Sequence, residues 1–350
     1  MKISRENNFD LIRLIAAFQV LIWHGAEHFG VFNKMYGFLA VLFHFPGVPV
    51  FFTISGFLIS HSLERNNFDL KKYFRNRALR IYPALWVCTI ITALLLLYFL
   101  KEIVVKEFMV WFLAQISFLQ FYAPASLKTW GVGHPNGSLW SVAVELQFYL
   151  VLPLLLYFIN KTKKLLYTNL LLGVLFALAV GVNYFINHNT FLPHEGLLSK
   201  FLGNTVFYYL YFFLTGITIY KNFSWIEYYL RNKVFIWLLI YFVYVMVFKV
   251  WLGYYINPYD INIAGIVANT LLSLLSLSFA FSYVHLSKKL LHENDISYGI
   301  YIYHIPVINT MISLGFTGEI KYLIIMAFIV SLIAFASWKL IEQRALRAKF

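Results

Sequence analysis

The chain has 350 residues, of which 61% are hydrophobic and 12% charged, and its mean hydropathy is +0.72. A soluble globular domain does not carry so many apolar residues with so few charges, so this composition excludes that class and indicates a polytopic membrane protein. The net charge of +13 does not indicate a nucleic-acid partner, because the basic residues are distributed as in the loops of a membrane protein.

Ten apolar segments follow one another along the chain, each long enough to cross a membrane as a helix. We predict spans at residues 9–28, 47–63, 82–100, 138–159, 167–186, 203–220, 234–252, 263–286, 296–314 and 321–340. With the N-terminus inside, 20 of the 28 Lys and Arg residues lie on the cytoplasmic side and seven on the outer side. This positive-inside bias predicts an all-α polytopic membrane protein with both termini cytoplasmic. Segment 108–122 is too short to span comfortably, so we predict an interfacial or re-entrant piece on the outer face.

The first predicted span reads FDLIRLIAAFQVLIWH and carries two ionisable residues within an apolar helix. Arg13 and His24 are eleven positions apart, so they share one helix face and lie about 16 Å apart along the axis. Asp10 is one turn before Arg13, close enough to form an ion pair. Ionisable groups inside a bilayer usually line a functional cavity, which predicts a polar path here. The alternative is that Arg13 extends to the cytoplasmic surface and His24 marks the far interface.

The second span and the loop after it hold the next polar candidates. In PGVPVFFTISGFLIS, Ser55 lies beside small residues, so it either supports close helix packing or takes part in a site directly. In the loop KKYFRNRALRIYP, Arg77 and Arg80 are three residues apart at a helix entrance before Pro83. These arginines could bind phosphates bidentately. A solvated cytoplasmic loop and a contact with anionic lipid are the alternatives.

The fourth span opens NGSLWSVAVELQFYLVLP and places a carboxylate within the membrane. Glu145 lies about 10 Å below Ser138 by helical rise, in the outer third that His24 also occupies. A carboxylate there can hold one nitrogen of an imidazole and raise the basicity of the other. Alternatively, Glu145 is a packing residue hydrogen-bonded to Ser141 or Gln147.

The ninth span, in SYGIYIYHIP, places Tyr298, Tyr301 and His304 near one helix face. His304 either belongs to the polar path or satisfies the backbone carbonyl that Pro306 leaves without its helical donor. The sequence shows no nucleotide-binding loop, no paired metal-ligand motif and no nucleophile elbow, so no metal site is predicted.

Together these segments resemble the membrane acyltransferase-3 family. The opening resembles the family's first motif, with ten residues between Arg13 and His24, and five later motifs follow in the family's order: PGVPVFFTISGFL, RNRALRIYP, GSLWSVAVELQFYLVLP, SYGIYIYHIPV and SWKLIEQRALR. The resemblance covers essentially all of residues 1–350. It implies a single acyltransferase-3 transmembrane domain, without the extracytoplasmic hydrolase-like domain of some members. Leu146 replaces a second glutamate of the family pattern, so any role of that residue is absent or moved.

The resemblance implies an O-acyltransferase of the bacterial cytoplasmic (inner) membrane, most similar to the O-antigen and exopolysaccharide acetyltransferases. It would transfer an acyl group, usually acetyl, from cytoplasmic acyl-CoA to a hydroxyl of an extracytoplasmic glycan. His24 matches the essential histidine, Arg13 the essential arginine, Arg77 and Arg80 the paired loop arginines, and Glu145 the acidic residue. We therefore expect His24, Glu145 and Arg13 to be catalytic, with Arg13, Arg77 and Arg80 receiving acyl-CoA.

The remaining polar candidates are expected to line or support the substrate path: Asp10, Ser55, Ser141, Tyr298 and His304. The expected partners are acyl-CoA as donor substrate, a lipid-linked or surface polysaccharide and the lipid bilayer, with no permanently bound cofactor and no nucleic acid. A covalent acyl-enzyme and direct transfer both remain open. A transporter that exports a carboxylate or glycan would also place polar groups along a path, and a non-catalytic scaffold is the third possibility.

Overall fold

The computed structural model describes residues 6–188, 197–254, 256, 259 and 262–348, and every regular element within these residues is helical. The α-helices in chain order are α1 (Phe9–His28), α2 (Tyr36–Phe43), α3 (Gly47–Arg65), α4 (Leu70–Phe99), α5 (Val105–Ile116), α6 (Trp140–Lys161), α7 (Leu165–His188), α8 (Leu197–Leu202), α9 (Val206–Lys221), α10 (Phe223–Leu230), α11 (Val234–Val245), α12 (Ile263–Ala280), α13 (Leu286–Leu291), α14 (Ser297–Ser313), α15 (Ile320–Ser337) and α16 (Gln343–Arg347). Two π-helical turns, Met246–Trp251 and Trp338–Glu342, extend α11 and α15.

Within the described residues, eight helical stretches are long and apolar enough to cross a membrane: Phe9–His28, Phe32–Arg65, Leu70–Phe99, Gly137–Lys161, Leu165–His188, Val234–Trp251, Ile263–Ala280 and Ile320–Arg347. They coincide with eight of the ten predicted spans. The other two predicted spans are also helices, but α9 has 16 residues and α14 has 17. The prediction of a helical polytopic membrane protein is therefore confirmed. The number ten and the cytoplasmic termini stay predictions.

The outward face of α7 shows why the chain needs a membrane. Leu166, Leu170, Val174 and Leu178 recur every four residues along this helix, and each is more than half exposed. A continuous apolar stripe of this kind is not left open to water by a soluble monomer. Lipid is the solvent that such a face requires.

The basic segment predicted as a loop is helical in the structure, so that prediction was wrong. α4 begins at Leu70 and includes both Arg77 and Arg80, with Pro83 inside the helix. Residues 70–82 contain no glycine or proline and several good helix formers. Pro83 removes one backbone hydrogen bond, which a long membrane helix packed against neighbours tolerates.

The segment predicted as interfacial or re-entrant forms α5 and the turns that follow it. Trp111 of α5 packs in a buried cluster with Leu96, Leu127 and Trp130, beside the C-terminal end of α4. The helix has only 12 residues, too few to cross a bilayer. Its position in the membrane stays a prediction.

The chain divides into two compact units. The first contains Met1–Arg13, Pro46–Leu70 and Gln147–Glu293. Its α3 and α9 cross at glycines: a Cβ at Gly56 would lie 2.2 Å from the Phe213 carbonyl oxygen, and one at Gly216 would lie 2.1 Å from the Thr53 carbonyl oxygen. Only glycine permits this approach, which is the packing expected for small residues in membrane helices.

The second unit contains Leu14–Phe45, Lys71–Leu146 and Asn294–Phe350. Its α14 is held by the loop before α6, because the Asn309 side chain accepts from Val132 N at 2.9 Å and donates to the His134 carbonyl at 2.9 Å. Just beyond α1, the Phe29 carbonyl accepts from Gly318 N, between α14 and α15, at 2.7 Å. The C-terminal ends of α1 and α14 therefore lie at the same end of this unit.

Candidate active site

Two histidines 280 positions apart in sequence form a direct contact in the second unit. His24 Nδ1 lies 2.9 Å from His304 Nε2, and the two rings stack with centroids 5.2 Å apart. His304 is fully buried, whereas His24 is partly exposed. The contact joins the C-terminal half of α1 to the middle of α14. It places His304, whose role the sequence left open, directly against His24.

The hydrogen bonds of this pair determine which nitrogen carries each proton in the neutral state. His304 Nδ1 lies 2.6 Å from the Tyr301 carbonyl oxygen, which can only accept, so Nδ1 of His304 carries a hydrogen. Its Nε2 is then the acceptor, and His24 must donate to it from Nδ1. Of the four ring nitrogens, the one with a free lone pair is therefore His24 Nε2. A neutral imidazole held in this tautomer can act as a general base.

Pro306 leaves one backbone carbonyl without its helical donor, and residues other than His304 donate to that carbonyl. Pro306 removes the donor for the carbonyl of Ile302, four residues earlier. That oxygen accepts from Asn136 Nδ2 at 2.9 Å and from Cys88 Sγ at 3.2 Å. Because these two groups complete the backbone at this position, His304 is not needed there, and its Nε2 contacts His24.

Ser141 and Tyr301 fix the helix turn that holds His304. The Ser141 hydroxyl and the Tyr301 hydroxyl lie 2.6 Å apart, and Tyr301 also donates to the Ser138 carbonyl at 3.1 Å. Both side chains are buried. The carbonyl of this same tyrosine accepts a hydrogen bond from His304, so the start of α6 is connected to His24 through Tyr301 and His304.

Glu145 lies among tyrosines. It is close enough to Tyr73, Tyr298 and Tyr301 for electrostatic interaction with each hydroxyl. The expected partner of His24 was this carboxylate, but the residue at His24 Nδ1 is His304. The reason is tertiary: α14 brings a second imidazole against α1 at this depth. The catalytic role of Glu145 stays a prediction.

Arg13 pairs with Asp10 at 3.0 Å, as their spacing on one turn of α1 predicts. Both side chains are partly exposed, at 27% and 50%. The same helix carries His24 about 16 Å further along by helical rise. In the first unit, Ser55 is buried on α3 next to Gly56, at the close crossing with α9. This position favours the packing role for Ser55.

Arg80 takes part in an internal ion pair. Its guanidinium bonds to Asp295, and this carboxylate also accepts from Ser297 Oγ at 2.5 Å. The buried Glu342 is close enough to Arg80 and Asp295 for electrostatic interaction. Tyr298 donates to the Ile81 carbonyl at 3.2 Å, which ties α14 to α4 at the same end. Arg80 therefore has a structural role, whether or not it also contacts a ligand.

Three of these residues, Asp295, Glu342 and Asn136, were not among the site residues predicted from the sequence. Asp295 precedes a predicted helix, a position where an acidic residue often caps the first turn, so a capping signal was present. Glu342 lies inside the quoted motif SWKLIEQRALR, and Asn136 lies in the sequence NGS. In the part of the chain that the structure describes, no group of three His, Cys, Asp or Glu side chains could hold a metal ion.

The chain matches the acyltransferase domain family over residues 6–340. It is 30% identical to Nodulation protein 10 of Rhizobium leguminosarum bv. viciae, over 99% of this chain and 95% of that protein. It is 33% identical to the O-acetyl transferase of Shigella phage Sf6, over 42% of this chain and 45% of that protein.

A third relative is the peptidoglycan O-acetyltransferase OatA of Listeria monocytogenes, 30% identical over 40% of this chain and 25% of that protein. The aligned region thus spans nearly all of the rhizobial relative but less than half of the other two. No solved structure matches the chain. The match over almost the whole sequence shows that the chain is an acyltransferase and belongs to the acyltransferase-3 family of membrane proteins.

Proposed function

We propose that this protein transfers an acetyl group from cytoplasmic acetyl-CoA to a hydroxyl of an extracytoplasmic glycan, in the bacterial inner membrane. The main support for the proposal is a chain of two hydrogen bonds. His304 donates to the Tyr301 carbonyl and accepts from His24, which leaves the lone pair of His24 Nε2 free. Family membership favours an acyltransferase over a transporter or a scaffold. Two relatives are named as O-acetyl transferases, one of them acting on peptidoglycan, which supports a glycan acceptor.

In the proposed reaction, His24 first accepts a proton and then returns it. Its Nε2 removes the proton of the acceptor hydroxyl as the oxygen attacks the acyl carbon. The carbon–sulfur bond of the thioester breaks, and the thiolate takes the proton back from the imidazolium. His304 keeps the ring oriented throughout, because its Nε2 accepts from His24 Nδ1 whether His24 is neutral or protonated.

The donor is proposed to enter at the end of α1 that carries Arg13. Guanidinium groups suit the phosphates of coenzyme A, and Arg77 on α4 provides a second one. Arg80 is less suited than Arg13, because its partner Asp295 is buried, whereas the pair of Arg13 and Asp10 is partly exposed. A covalent acyl-enzyme, formed on His24 and then attacked by the glycan, would use the same lone pair.

The test measures acetyl-CoA binding and acetyl transfer with purified variants. His24→Ala should abolish transfer and leave binding nearly intact, since a base is needed only for proton transfer. Arg13→Ala should weaken binding, and Arg13→Lys should restore only part of it, because an ammonium replaces a planar fork. If wild-type protein moved no acetyl group from acetyl-CoA, the proposal would be wrong. Equal loss of coenzyme binding in His24→Ala and Arg13→Ala would show that the two residues form one site.

A further inference from the structure

An apolar groove of about 460 Å³ runs along the second unit between α4, α14 and α15. This volume lies within the ~300–1,000 Å³ typical of ligand sites. Its walls are almost wholly hydrocarbon, and the lining side chains include Ile91, Leu95, Val307, Met311, Ile325 and Ile329. In a membrane-embedded chain, the ligand that fits such walls is a lipid tail.

The end of the groove at the α14–α15 connection carries charge. Tyr322 lines the groove, and the Lys321 ammonium lies 5.0 Å from its ring centre. Lys321 pairs with Glu319 at 2.7 Å. The exposed Lys34 donates to the carbonyl of Gly318, in the same connection, at 2.6 Å. Two lysines against one glutamate leave a net positive charge, which complements a phosphate head group.

The charged end is also connected to the proposed base. Gly318 donates its backbone N–H to the Phe29 carbonyl at 2.7 Å, five residues beyond His24. Five residues of helix correspond to about 7.5 Å. A head group held at Lys34 would therefore lie close enough to His24 for the first or second attached sugar to reach it.

We propose that this groove binds the hydrocarbon tail of the acceptor, an isoprenoid phosphate or diphosphate that carries the glycan, with its head group at Lys34 and Lys321. The proposal rests on the proposed function, because it identifies the lipid-linked form of the glycan as the acceptor. The groove then holds the acceptor in the bilayer while the sugar reaches His24. Its walls contribute binding and no chemistry.

The test is photolabelling of the purified full chain in phosphatidylcholine nanodiscs with geranylgeranyl diphosphate that bears a diazirine on its tail. Labels should map to α14 and α15 and be competed by unlabelled geranylgeranyl diphosphate, but not by the same amount of phosphatidylglycerol. Ile329→Trp fills the groove and should lower labelling about fivefold or more, since added bulk leaves no room for the tail. Lys34→Gln should weaken competition by the diphosphate.

Ile324→Trp is the matched control, because Ile324 lies on the same helix, outside the groove lining, and is 65% exposed. It should leave labelling unchanged. Ile325→Trp is a second groove variant, and an unchanged melting temperature checks the fold of each. Equal competition by phosphatidylglycerol would mean ordinary boundary lipid and would overturn the proposal, as would equal effects of Ile329→Trp and Ile324→Trp. Labelling needs no acetyl-CoA, so this result is independent of whether the proposed reaction is correct.

Discussion

The tautomer assigned to His24 makes a sharp prediction for His304→Asn. The amide nitrogen of the introduced asparagine would overlay His304 Nδ1 and keep the bond to the Tyr301 carbonyl, but the asparagine side chain is too short to reach His24. His24 would lose its 2.9 Å acceptor and with it the fixed orientation of Nε2. An unsatisfied donor of this kind costs about 1–3 kcal/mol, and 1.4 kcal/mol is a factor of ten in rate, so kcat should fall about 10–100-fold.

The comparison that isolates this effect is His304→Gln. The amide oxygen of the introduced glutamine would overlay His304 Nε2 and accept from His24 Nδ1, so this variant should retain more activity than His304→Asn although its contact with Tyr301 is lost. The assay is acetyl transfer by purified enzyme, with acetyl-CoA affinity and thermal stability measured for both variants. If folded His304→Asn turned over at the wild-type rate, the hydrogen-bonded pair would have no role in catalysis.

Four further predictions concern other polar groups. Glu145→Gln should fold normally and slow transfer by on the order of 10²-fold, because the amide keeps the shape and loses the charge. Arg80→Ala should lower thermal stability by on the order of 2–3 kcal/mol, since it leaves the buried Asp295 without its positively charged partner, and adding Asp295→Asn should restore part of that loss. Arg77→Ala should weaken acetyl-CoA binding more than it lowers stability. Burial, assisted by a nearby lysine, lowers the pKa of His134 to about 4. As the pH falls, the unfolded chain therefore binds this proton at a higher pH than the folded chain does. Stability should be full above about pH 6.5 and fall by about 3 kcal/mol by pH 4, and His134→Gln should remove that part of the pH dependence in thermal melts.

Each of these predictions has an outcome that contradicts it. Wild-type turnover by Glu145→Gln would make the carboxylate structural. Unchanged melting of Arg80→Ala, or no recovery in the double variant, would mean that the ion pair with Asp295 contributes little. Normal coenzyme affinity in Arg77→Ala would remove that arginine from the donor site. Parallel melting curves of wild type and His134→Gln from pH 8 to pH 4 would show that His134 is not the titrating group.

Much of the helical framework follows from local sequence. The apolar run of α1 predicts its position, and the three-residue spacing of Asp10 and Arg13 predicts their ion pair. These features depend on residues within one or two helical turns, where periodicity and side-chain spacing carry the information. The prediction failed at α4, where Pro83 suggested a helix start, although the good helix formers of residues 70–82 begin the helix at Leu70.

The contacts that build the candidate site join distant parts of the chain. His24 meets His304 across 280 positions, and Arg80 meets Asp295 across 215. A single sequence shows which side chains are polar and which helix face they share, but it does not show which helices become neighbours. The sequence therefore determined that a histidine lies in the first span, and only the tertiary structure decided that a second histidine orients it, because the contact depends on how α1 packs against α14.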